Sequence, residues 1–84
     1  MPYITEERRD EIEFNGVLDA LDSANIKVNG DLNYILFKYC KDHIVPGYNN
    51  YKNFIGELNE CITEIRRRIL APYEDLKIEE NGDV

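Results

Sequence analysis

Apolar residues along this chain recur at helical rather than alternating spacing, and the clearest run is Leu32, Ile35, Leu36, Tyr39, Cys40 and Ile44. Their separations of i, i+3, i+4, i+7, i+8 and i+12 put all six on one face of an amphipathic helix. The turn signal Asn29, Gly30, Asp31 precedes this run and Pro46–Gly47 follows it, so a helix is expected over about residues 31–45. Tyr34 and Phe37 lie off the stripe and form a second apolar patch. From Asn50 a longer run holds the same period through Tyr51, Phe54, Ile55, Leu58, Cys61, Ile62, Ile65 and Ile69, predicting a helix over about 50–71 that Pro72 ends.

The ends of the chain are patterned more weakly. Met1 to Ile4 reads as an extended lead-in, and Thr5 is placed to cap a helix opening on Glu6 and Glu7, where carboxylates favour the positive helix end. Asn15 and Gly16 interrupt that segment before Val17, Leu18 and Leu21 resume an apolar stripe, a pattern that fits one kinked helix or two short ones. Residues 73–84 read as a short helix closing at Asn81–Gly82, with an irregular strap as the alternative.

Two helices joined by a Pro-Gly turn pack as an antiparallel hairpin, and a short N-terminal helix covers one open side. The expected fold is therefore all-α. It is a small helical bundle in a single domain over 1–84, built on the antiparallel hairpin of about 31–45 and 50–71, with a short N-terminal helix and a short C-terminal helix or strap. Leu32, Ile35, Leu36, Tyr39, Phe54, Leu58, Cys61, Ile62 and Ile65 are the expected core. At 84 residues such a core is small, so association between copies is expected to supplement it.

Charge narrows the partners. A net charge of -7 and a pI near 4.6 disfavour duplex nucleic acid and anionic membrane, whose phosphates repel an acidic surface. Six of the ten Lys and Arg gather as Arg8–Arg9 and as Arg66, Arg67 and Arg68 with Lys77. No apolar run has membrane-spanning length and no secretory segment follows Met1, so the expected location is cytoplasmic. Cys40 and Cys61 sit at apolar helical positions and read as reduced, buried small hydrophobes.

Catalytic chemistry is not expected. His43 is the single histidine and falls at a helix end, where a cation complements the dipole. Two distant cysteines and one histidine make no closed metal set, and no cofactor is expected. Glu57, Glu60 and Glu64 share a helical face and read as a solvated stripe, with Glu64 four residues before Arg68 in the favourable order for an ion pair. Arg66, Arg67 and Arg68 are the exception to the acidic background. Guanidinium groups pair with phosphate or carboxylate, but successive helical residues stand about 100° apart, so no more than two of the three share one partner. Two readings stay open. In one, Arg67 and Arg68 with Tyr34 or Tyr73 contact an anionic ligand. In the other, Pro72 bends the chain and Glu74 and Asp75 cap the next helix and fold back on the arginines as a structural latch.

The opening MPYI (Met1 to Ile4), GDLNY (Gly30 to Tyr34), IGxL (Ile55 to Leu58) and the close RRxxAPYEDxKIxENGDV (Arg67 to Val84) resemble an uncharacterised family of short proteins carried by phages and bacteria. Arg66 stands where that family's pattern has a tyrosine. For a phage-encoded chain the resemblance implies the host cytoplasm and assigns no activity. In organisation the chain is also similar to small helical phage proteins that oligomerise and take up cyclic nucleotide signals of bacterial immunity. These features point to a non-enzymatic helical binding protein, expected to be a homo-oligomer, that sequesters an anionic nucleotide-like ligand. The alternative is an acidic protein-interaction module that modulates a host or phage protein.

Overall fold

The computed structural model describes residues 4–82, and among them every regular element is helical. The expected lead-in over Met1 to Tyr3 and the last two residues of the closing motif, Asp83 and Val84, lie outside the described residues. Backbone proximity divides the chain into two compact units, one ending at Gly47 and the other starting at Tyr48.

The first unit holds α1 (Glu6–Phe14), α2 (Val17–Ser23) and α3 (Asp31–His43). Thr5 caps α1 as expected, its extended backbone turning its hydroxyl to accept from the Arg8 N–H at 3.1 Å. Asn15 and Gly16 make two helices rather than one kinked helix. Gly16 adopts φ +80°, a left-handed conformation that breaks the helical path at little cost for a residue without Cβ. The Asn15 side chain and backbone N–H both donate to the Glu11 carbonyl, closing α1.

α2 ends in a Schellman motif built on Asn25, which takes φ +56°. Its N–H donates to the Asp22 carbonyl at 2.9 Å and the Ile26 N–H donates to the Leu21 carbonyl at 3.4 Å. Leu21 and Ile26, the pair this motif brings together, are both half-buried. The chain then turns into α3 through Gly30 (φ +129°), and the Asp31 carboxylate reaches back to accept from the Lys27 N–H at 3.1 Å. α3 stops where Ile44 becomes extended, two residues short of Pro46. Ile35, Leu36, Cys40 and Ile44 on its inner stripe are half-buried, and Tyr34 and Phe37 off the stripe are exposed.

The second unit is one unbroken helical run over residues 48–81. α4 (Tyr48–Ile65) begins two residues before the expected Asn50 and passes into a π-helical turn (Arg66–Leu70), which passes into α5 (Ala71–Asn81). The expected stop at Pro72 is absent. Ile65, Leu70 and Ala71 all keep right-handed helical dihedrals, and the Ala71 N–H donates to the Arg66 carbonyl five residues back. A proline inside an α-helix lacks the N–H for its own bond, and its ring strikes the carbonyl four residues earlier. The extra residue in the turn before Pro72 shifts that carbonyl out of line, so the helix absorbs the proline through a π-bulge. Residues 71–81 are accordingly helical and not a strap. They close at Gly82, as expected, where φ +82° ends the helix and the Gly82 N–H donates to the Ile78 carbonyl at 2.8 Å.

The expected core is not a buried core. Among the described residues no side chain is fully buried. Of the nine expected positions Ile35, Leu36, Phe54 and Leu58 are half-buried, whereas Leu32, Tyr39, Cys61, Ile62 and Ile65 are exposed. The helical period marks which side of a helix seeks cover, and it does not supply the cover.

Candidate functional site

The arginine-bearing end of α4 is the most structured cluster of charge. Glu64 stands one residue before the end of α4, and its carboxylate takes two consecutive guanidiniums. Arg67 Nη2 donates to Glu64 Oε2 at 3.4 Å and Arg68 Nη1 lies 3.7 Å from the same oxygen. These are i, i+3 and i, i+4 partners, the two separations at which helical side chains meet, and so two of the three arginines share one acceptor. Glu64 is the one charged residue in the half-buried class among the described residues, with 23% of its side chain accessible against 65% and 64% for Arg67 and Arg68.

Both separations are long for charge-assisted hydrogen bonds, and exposed pairs of this kind contribute below about 1 kcal/mol each. With Arg66 beside them, three cations stand against one carboxylate at this turn. It is a local positive site on a chain of net charge -7. A shallow open hollow of about 260 Å³ lies against it, lined by Glu64, Ile65, Arg68 and Ile69.

The other expected site residues are distributed along the chain. Tyr73 follows in the first turn of α5, exposed, with the Lys77 ammonium 5.5 Å from its ring centroid in a cation–π contact. Tyr34 belongs to α3 in the first unit, where it is exposed. Pro72 and Glu74 fall in the first turn of α5, and Asp75 follows directly after it. Because that turn continues from the π-helical turn, Glu74 and Asp75 do not stand at a free helix start, and the capping expected of them has no open N–H end to serve. Seven residues also separate Arg67 from Glu74 and Arg68 from Asp75, about 10 Å along a continuous helix.

His43 ends α3 as expected and lies against the Tyr39 ring, with centroids 4.8 Å apart. Cys40 is half-buried, and Cys61 is exposed rather than buried. Both are free thiols. Glu57 and Glu60 are exposed, in keeping with a solvated stripe. Among the described residues no group of three His, Cys, Asp or Glu gathers closely enough to hold a metal ion, and no helix is long and apolar enough to cross a membrane.

Sequence reasoning missed the π-helical turn that carries the arginines. Its signal was available: a proline flanked by good helix formers on both sides is either a stop or a bulge, and no glycine, asparagine or serine beside Pro72 favours the stop.

No curated protein and no solved structure is significantly similar to this chain. One family model does match it, over residues 1–84, and carries the description Domain of unknown function (DUF6899). By a match that spans its whole length, the chain belongs to the DUF6899 family, a domain of unknown function.

Proposed function

We propose that this chain is a non-enzymatic helical binding protein that works as a homo-oligomer and takes an anionic, nucleotide-like ligand at the arginine-bearing π-helical turn. A host immune signal of a phage-infected bacterium is a ligand of this class. The observation that carries the reading is the shared carboxylate. Glu64 holds Arg67 and Arg68 side by side through contacts long enough for a phosphate to displace, and two cations on one anion leave the turn positively charged. Tyr73, one turn further on, offers a ring for base stacking.

Titration calorimetry with a panel of cyclic and linear nucleotides tests the proposal. Binding is expected, weakened at least tenfold by Arg67→Ala or Arg68→Ala and weakened by added salt. No heat with any member of the panel removes the ligand from the reading.

A further inference from the structure

We infer that a second copy of this chain covers the row Tyr51, Ile55, Leu58, Ile62, Ile65 and Ile69, forming a coiled-coil seam along α4 and its π-helical turn. This rests on the homo-oligomeric part of the function proposed above and names the surface that makes it.

The spacing of the row is the first argument. Its members alternate separations of four and three residues without exception over 51–69, a strict 3.5-residue repeat. A helix packed on a globular core needs only the broader 3.6-residue stripe. A repeat kept at 3.5 fits a partner that is itself a long helix, and the run over 48–81 is the long helix this chain contains. One set of alternate positions is Ile55, Ile62 and Ile69, all β-branched, and the other is Tyr51, Leu58 and Ile65. The former is the type of residue that packs best where knobs enter parallel to the partner backbone.

Accessibility is the second. Ile55, Ile62 and Ile69 are 57%, 49% and 66% exposed. The half-buried Phe54 directly precedes Ile55 and so points about 100° around the helix from it. Leu58 and Ile65 lie between Phe54 and the three isoleucines on one continuous apolar face, whose isoleucine edge is open to another helix.

Area is the third. Five side chains at roughly half exposure and the half-buried Leu58, each offering on the order of 150–200 Å², leave about 500 Å² on one copy. Tyr48, 80% exposed at the head of the same row, brings this to about 700 Å². A standard stable interface uses about 800 Å² per partner, so the row is close to sufficient once flanking methylenes are added. No charged residue interrupts it, which matters between copies that each carry a net charge of -7.

Light scattering coupled to size exclusion is expected to give a mass at a multiple of 9.9 kDa, and Ile62→Asp a mass near the single chain with helical circular dichroism retained. A single-chain mass for the unaltered protein overturns the inference. Should Ile62→Asp unfold, cross-linking decides. With Cys40→Ser and Cys61→Ser in place, a mixture of the Ile55→Cys and Ile69→Cys chains is expected to form covalent dimers under mild oxidation, through like pairs if the helices run parallel and through unlike pairs if antiparallel. No covalent dimer of either kind overturns the seam. An assembly of the expected mass that binds no nucleotide refutes only the ligand proposal, and a single chain that binds nucleotide refutes the seam together with the homo-oligomeric part of the proposed function and leaves the ligand part standing.

Discussion

The two units solve the same problem, how a chain of mostly helix-forming residues ends its helices, in opposite ways. Before Gly47 every helix is short and ends where the backbone leaves the helical region, at left-handed Gly16 after α1, at left-handed Asn25 after α2 and at extended Ile44 after α3, and Gly30 turns the chain into α3 at φ +129°. After Tyr48 the helix meets Pro72 and continues, because one π-helical turn takes up the ring. In this molecule a left-handed residue is the stronger punctuation. A left-handed dihedral redirects the whole path of the chain, whereas a proline removes one hydrogen bond and creates one clash, both of which a local widening relieves.

The largest expected effect tests the second half of that contrast. Pro72→Ala restores the missing N–H inside a continuous helix and is expected to stabilise the protein by about 1–3 kcal/mol, read as a raised Tm in thermal unfolding followed by circular dichroism. If the helix ended at Pro72, the same change would leave Tm where it was. The next test addresses the first half. Gly30→Ala places a Cβ at φ +129°, and the space around Gly30 is open, so the cost is backbone strain alone. A loss of about 1–3 kcal/mol in denaturant unfolding is expected. A Gly30→Ala protein as stable as the parent removes the contrast.

The smallest effect concerns the arginine site. Glu64→Gln is expected to lower stability by under about 1 kcal/mol at low salt and by less at high salt, because both ion pairs are long and open to water. At the same time it should strengthen binding of any anionic ligand, since the competing carboxylate is gone. A large loss of stability from Glu64→Gln marks the cluster as structural.

Much of the helical layout was legible in the residues. Thr5 before Glu6–Glu7, the i, i+3, i+4 stripe of α3 and the Asn81–Gly82 close each act within one turn of backbone, where side-chain chemistry alone sets the outcome. The ambiguity at Asn15–Gly16 was of a different kind. Glycine permits a left-handed bend without requiring one, so its presence alone leaves one helix and two equally allowed. Of the site, the Glu64–Arg68 pair followed from spacing, and the addition of Arg67 to the same oxygen depended on rotamers. The latch through Glu74 and Asp75 was tied to a break at Pro72, and the unbroken helix leaves that idea without its hinge.

By itself, the sequence determined that the chain is helical, where its first helix is capped and which side of each long helix is apolar, because period, caps and turn residues are local properties of the backbone. The tertiary structure decided that Pro72 lies within a helix, that Arg67 and Arg68 meet on one carboxylate, and that Ile62 and Ile65 stay uncovered. Each of these depends on how a strain is relaxed or on what lies opposite a side chain, and neither is written in the spacing of residues along the chain.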